Sequence, residues 1–363
     1  MARIVLLLSA LLSLACQPEQ PSGPDWGDKG EKPGVTTTPD EPNEPDEPKP
    51  DTPEEPKPEI VEQTIVPTTA VAPLDADIAG LRYEPGISIN LTTKNFANRL
   101  TEIANAGFKY IEITLKQSHG LMDMSDEQVT ALFSEKQSQA TAAGLTVWSI
   151  HLPFEDKDWT NVAGKESIRR QSVDNIMRVL RLCVASFPEC KNYVLHASKG
   201  VLSPRSESVN QARKSLQEML PEAKKLGVRI CIENLVGSLC PTIAEMNDTI
   251  AGFEDAWVTF DIGHANCVGA TADVLQFLKF IGPRLGTVHI HDTLYGSRND
   301  DHRVVGKGDI DKYHGWDNVY YYMLKENRYR GVFLFELSGA NAAEVMTTYR
   351  EIVAKYKAKY ESQ

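Results

Sequence analysis

From residue 86 onward the chain repeats one pattern: a short apolar run, then a longer amphipathic stretch. The runs are GISINL (86–91), YIEITLK (110–116), TVWSIHLPF (146–154), NYVLHAS (192–198), VRICIENL (228–235), WVTFDIGHA (257–265), GTVHIHD (286–292) and GVFLFEL (331–337). Between them lie stretches such as NFANRLTEIANAG, SVNQARKSLQEMLPEAKKLG and NAAEVMTTYREIVAKYKAKY, whose apolar residues recur at helical spacing. Gly107, Gly144 and Gly227 stand just before the next run, where a left-handed residue ends a helix. Near-continuous apolar strands are buried on both faces, and strict strand–helix alternation makes a parallel sheet. Eight such units in about 275 residues predict a TIM (β/α)8 barrel over residues 81–363. A doubly wound open sheet is the alternative. It normally carries a Gly-rich phosphate turn after its first strand, and SINLTTKN has none.

The first 80 residues cannot belong to that barrel. MARIVLLLSALLSLAC has a basic Arg3, an apolar segment Ile4–Leu12, small residues and then Cys16. The apolar segment is too short to span a bilayer and reads as a signal peptide. A cysteine after Ser13-Leu-Ala resembles a bacterial lipoprotein cleavage site, so residues 1–16 are expected to be a leader ending at a lipidated Cys16. Residues 17–80 repeat Glu/Asp-Pro units and bury too little to offset their ordering entropy. They are expected to form a disordered, extended tether. Most of the charge sits there. Of the chain's −12, −11 falls on residues 17–75 and Arg3 adds one positive, which leaves −2 on residues 76–363. A near-neutral barrel offers no electrostatic case for nucleic acid. Membrane contact is expected only through the lipid, on the periplasmic or cell-surface face. The five cysteines beyond Cys16 are odd in number and hold no CxxC pair, so no disulfide framework is expected.

The polar residues fall in a pattern. In a TIM barrel the active site is built at the C-terminal ends of the strands. The eight histidines (His119, His151, His196, His264, His289, His291, His302 and His314) all fall at run ends or in the segments that follow, and none on a predicted helix. Glu233, Asp261 and Glu336 stand at run ends, and Glu112 lies inside the second run. Three buried carboxylates at one mouth would repel and take up protons. A divalent cation resolves the conflict, and Asp, Glu and His together suit one Mn²⁺, Co²⁺, Mg²⁺ or Zn²⁺ ion.

With these motifs placed, the domain resembles the sugar phosphate isomerase/epimerase superfamily, the xylose isomerase-like or apurinic endonuclease 2-like TIM barrels. The motifs are IENL, FDIGHA, VHIHD, DHRVVGKGDID and LFEL, in that order. The resemblance implies metal ligands at Glu233, Asp261, His289 and Glu336, with His289 rather than His291 as the ligand in HIHD. It implies that His264 contacts substrate. His151 and His196 match positions that line the pocket or, in the endonuclease branch, bind further zinc ions. His302 opens the H-x-x-x-G-x-G loop, with Gly306 and Gly308 in place. Glu112 joins His151, His196, His264 and His302 in the expected substrate-binding set.

The activity implied is a metal-dependent isomerisation or epimerisation of a sugar. A proton leaves the carbon beside a carbonyl, an enediolate forms, and Glu233 and Glu336 act as base and acid. The expected partner is a small-molecule sugar, unphosphorylated because an exported protein meets free sugars or glycosides. A 3-oxo-glycoside lyase or hydrolase on the same site is the first alternative. A multi-zinc phosphodiesterase is another: His151, His196, Glu233, Asp261, His264, His289, Asp300, His302 and Glu336 supply its residue types. The third is a non-catalytic sugar-binding lipoprotein. The run WDNVYYYML (316–324) fits a helix face against the barrel, with Trp316 near enough its start to reach a sugar.

Overall fold

The computed structural model describes residues 83–154, 158–198 and 200–361. The expected leader, Cys16 and the acidic linker up to residue 80 lie outside the described residues. Eight strands alternate with helices: β1 (Pro85–Asn90), α1 (Phe96–Asn105), β2 (Tyr110–Lys116), α2 (Asp126–Ala142), β3 (Thr146–Phe154), α3 (Glu166–Ser186), β4 (Asn192–Leu195), α4 (Arg205–Lys225), β5 (Arg229–Glu233), α5 (Ile243–Ile250), β6 (Trp257–Asp261), α6 (Ile262–Val268), α7 (Val274–Ile281), β7 (Leu285–Ile290), α8 (Ile310–Tyr313), α9 (Trp316–Tyr321), β8 (Phe333–Phe335) and α10 (Ala342–Tyr360). Each strand pairs in parallel with the next, and β8 pairs with β1 to close the barrel. No helix among the described residues is long and apolar enough to cross a membrane.

The strand sequences explain the layering. In β2, alternate side chains face opposite sides. Ile111, Ile113 and Leu115 join the main apolar core together with Val129 and Phe133 of α2. On the other face Tyr110 packs with Trp148, Val332 and Leu334, a small apolar plug inside the barrel. Trp148 also donates its indole N–H to Thr287 Oγ1 at 3.2 Å, across the lumen from β3 to β7. Polar side chains occupy the levels above the plug, toward the C-terminal ends of the strands. This is the end at which the fold builds sites.

Four expectations need correction. Strand β6 ends at Asp261, four residues before the predicted run does, because the Asp261 side chain caps a helix there. Its Oδ1 accepts from the backbone N–H of His264 at 2.6 Å, which satisfies a donor the first helical turn would leave open. His264 is therefore helical, and His119 lies in a 3₁₀ turn, so the histidines are not confined to strands and loops. The described residues also hold ten α-helices rather than eight, since two short helices each follow β6 and β7. Trp316 is buried in the main core and does not reach the mouth, because the first turn of α9 packs inward.

Candidate metal-binding active site

Above the lumen plug, four side chains from four strand ends meet. Glu233 is the last residue of β5, Asp261 the last of β6, His289 lies in β7, and Glu336 follows β8. His289 Nδ1 is 3.0 Å from Glu233 Oε1, 3.0 Å from Glu336 Oε2 and 3.8 Å from Asp261 Oδ2. One ligand atom from each of the four lies within 4.8 Å of the others. Asn234, beside Glu233 in IENL, ties β5 to β6. Its Oδ1 accepts from the Asp261 N–H at 2.8 Å, and its Nδ2 donates to the Asp261 carbonyl at 2.9 Å. Nothing in the IENL motif alone marks Asn234 as this clamp.

Two further donor groups abut the first. His151 and His196 approach Glu233 Oε2 at 3.3 and 3.0 Å and each other at 3.1 Å. On the other side His264, His291, Asp300 and His302 converge, with Asp300 Oδ2 3.1 Å from both His264 and His302. His291, which the resemblance does not place among the ligands, has a structural reason for its presence. Its Nε2 lies 3.0 Å from both oxygens of Asp261, and its ring stacks on His302 with centroids 4.1 Å apart. The loop that brings Asp300 and His302 over the mouth folds around Asp292, the last residue of HIHD. That carboxylate accepts from the N–H groups of Thr293, Gly306 and Ile310 at 3.0, 2.8 and 3.3 Å. A Cβ on Gly308 would lie 2.3 Å from Asp292 Oδ1, so the second glycine of GKG is there to clear this anchor.

The electrostatics follow from burial and pairing. Burial alone pushes Glu233 up, but His289, His196 and His151 more than reverse this and hold it well below the usual carboxylate range. Glu336 behaves in the same way, with His289 the main counterweight to burial. Burial opposes charge on His289, yet Glu336, Glu112 and Glu233 raise it well above an ordinary histidine. His302 rises to about 10, as its bond to Asp300 overcomes the cost of burial. Among the described residues the basic partners of Glu233, Asp261 and Glu336 are all histidines. Glu233 Oε2 and Glu336 Oε2 are buried without an aligned hydrogen bond. Buried charge of this kind is costly without compensation. Three carboxylates and an imidazole that gives up its Nδ1 proton when a metal binds fit a divalent cation.

A cavity of about 570 Å³ opens above these groups. Glu233, Glu336, His196, His264 and His302 line it, with hydroxyl and amide side chains around them: Ser88, Asn90, Thr114, Ser198, Ser238 and Ser338. These polar liners are ordinary surface types in sequence, and only the fold gathers them. Two expected substrate contacts are placed elsewhere. His151 is fully buried behind His196, and Glu112 is fully buried below His289. Neither lines the cavity, because each sits one level deeper in the lumen than its strand sequence reveals.

Residues 100–358 match the model of the xylose isomerase-like TIM barrel family. The uncharacterized protein MJ1311 of Methanocaldococcus jannaschii is 24% identical over 280 residues, 73% of this chain and 88% of that protein. Among solved structures, a D-tagatose 3-epimerase-like protein is 23% identical at a TM-score of 0.60, over 75% of this chain and 98% of that one. An L-ribulose 3-epimerase is 18% identical at a TM-score of 0.59, over 76% and 96%. At these identities the structural likeness is one of fold. The match to the family model spans most of the chain, and the chain belongs to the xylose isomerase-like TIM barrel family.

Proposed function

We propose that the protein is a divalent-metal-dependent isomerase or epimerase of an unphosphorylated sugar or sugar derivative, held at a bacterial membrane by a lipid on Cys16. The observation that carries this reading is the pair of carboxylates, Glu233 and Glu336, that meet at His289 Nδ1 and both line the cavity. The likeness to a D-tagatose 3-epimerase-like protein and an L-ribulose 3-epimerase supports it. Glu233, Asp261, His289 and Glu336 would hold the cation, which when bound supplies Lewis acidity to a carbonyl and its neighbouring hydroxyl. Both glutamates stay ionised at neutral pH, so either is ready to accept a proton. One takes the proton from the carbon beside the carbonyl; the other, after taking up a proton from water, delivers it to the opposite face. Return to the same carbon epimerises it, and return to the neighbouring carbon isomerises the sugar. Such proton transfers contribute about 10²–10⁴-fold each. His196, His264 and His302 face the cavity where sugar hydroxyls would lie. The hydroxyl-rich wall suits a neutral polyol, and Lys116 is the one Lys or Arg among its described liners.

A second reading, hydrolysis of a phosphate diester, is favoured by one observation: the three abutting donor groups can seat more than one metal ion. The test is proton exchange in D₂O. Free ketoses, aldoses and 3-oxo-glycosides are incubated with the metal-loaded protein and followed by NMR. Deuterium is expected at the carbon beside the carbonyl, and Glu233→Gln is expected to abolish its uptake. No exchange with any of these substrates, together with cleavage of bis(p-nitrophenyl) phosphate, sinks the first reading in favour of the second.

A further inference from the structure

This inference rests on the reading that Glu233, Asp261, His289 and Glu336 hold a cation, and it concerns a residue outside that set. His289 is fully buried, and its two ring nitrogens face different carboxylates. Nδ1 points at Glu233, Glu336 and Asp261. Nε2 points away from them and lies 3.1 Å from Oε2 of Glu112. The same Glu112 oxygen accepts a 2.7 Å hydrogen bond from Ser149 Oγ on β3. The register of β2 against β3 slips at Ile111/Glu112, and the slip sets Glu112 directly opposite Ser149. Both side chains are fully buried, and neither lines the cavity.

A neutral imidazole carries one N–H. For Nδ1 to offer its lone pair to a cation, that N–H must sit on Nε2 and find an acceptor there. We infer that Glu112 is a positioning residue: by accepting from the Nε2–H of His289 it fixes the tautomer and ring orientation that leave Nδ1 bare toward the other three ligands. Ser149 fixes the Glu112 carboxylate in turn. Glu112 acts wholly through His289 and touches neither the cavity nor the reacting atoms. This gives a buried acid in the middle of an apolar strand a reason to exist.

The test needs no substrate. The full chain is stripped with a chelator, then titrated with Co²⁺ or Zn²⁺ against a chromophoric competitor, and the metal-free melting temperature is measured in parallel. Glu112→Gln is expected to weaken cation binding by ~10- to 100-fold, the usual cost of losing such an outer partner. Its metal-free melting temperature is expected to stay within ~4 °C of wild type, the equivalent of roughly 1 kcal/mol. The visible spectrum of bound Co²⁺ is expected to shift. Ser149→Ala is expected to weaken binding in the same direction but less. Wild-type affinity in Glu112→Gln overturns the inference, as does a loss of affinity that only tracks a loss of metal-free stability. If Glu112→Gln does not fold, unchanged affinity in Ser149→Ala overturns it. A wild-type chain that binds no cation overturns the four-ligand reading as well, which separates that failure from this one.

Discussion

Gly263 lies between Asp261 and His264, and the structure gives it a purpose other than backbone freedom. Its φ is outside the left-handed region, so an L-residue fits its backbone. Replacing a helical glycine with alanine ordinarily stabilises by about 1 kcal/mol. Here the new Cβ would lie 2.1 Å from His291 Cε1, 2.4 Å from Nδ1 and 2.6 Å from Nε2. The ring has no free direction of retreat. It is fully buried, bonded to both oxygens of Asp261 and stacked on His302. Overpacking costs about 1–3 kcal/mol. Loss of a hydrogen bond to a charged group costs a further ~1.5–3 kcal/mol. Set against the helix gain, the net for Gly263→Ala is on the order of 3 kcal/mol destabilising, a fall in melting temperature of roughly 6–12 °C. Asp261 also loses its outer partner, so cation affinity is expected to fall with stability. Gly339→Ala is the control, since its Cβ meets nothing within 4 Å and its φ is ordinary. Calorimetry of both metal-free variants, with cation titrations alongside, makes the comparison. Gly263→Ala as stable as the control and with wild-type affinity would show that His291 yields to the new Cβ without losing Asp261.

Three other outcomes follow from particular contacts. Asp292→Ala leaves three backbone N–H donors of the mouth loop without their acceptor, and is expected to cost about 3 kcal/mol in urea unfolding; a cost below about 0.5 kcal/mol would show that the loop is held otherwise. The five described cysteines are buried, and burial pushes Cys190, Cys240 and Cys267 up to about 12 and Cys231 up to about 11. No label from Ellman's reagent is therefore expected on these five at pH 8 until the chain is unfolded, as read by peptide mapping. In the metal-free protein His302 is raised from about 6.5 to about 10 by Asp300 acting against burial. A raised histidine stabilises the fold fully below its unfolded value and loses that contribution as pH climbs through its folded value. The metal-free melting temperature is expected to fall between pH 6.5 and pH 10, and to fall less steeply in Asp300→Asn; equal slopes would contradict the pairing.

Much of this was legible in the sequence, and the exceptions have physical causes. The eight runs carried enough β-branched and aromatic residues, and the helices enough periodicity, to set the barrel and its strand order. Glu233, Asp261, His289 and Glu336 were readable because each stands at a strand end, where the fold gathers its polar groups. Depth was not readable. Glu112 and His151 point inward as their alternation requires, yet whether an inward residue reaches the cavity depends on the stagger between strands, which no single strand encodes. The slip at Ile111/Glu112 is one such stagger. The end of β6 was misplaced because Ile262 and Ala265 are apolar in a strand or a buried helix alike, and the cap made by Asp261 decides between them. His291 stands two residues after His289, and nothing in HIHD itself assigns it a partner. Only the approach of β6 reveals it as the partner of Asp261.

Glu233, Asp261, His289 and Glu336 are proposed to share one divalent cation. The most direct test is an anomalous difference map from a crystal of the metal-loaded protein, recorded at the absorption edge of the added Mn²⁺, Co²⁺ or Zn²⁺. The expected result is a peak bounded by those four side chains, with Glu112 still on the far nitrogen of His289. Additional peaks at His151–His196–Glu233 and at His264–Asp300–His302 would keep the four-residue site but move the chemistry to the multi-metal reading. No peak among Glu233, Asp261, His289 and Glu336 in a crystal that carries the metal elsewhere would show that these four residues are not a cation site.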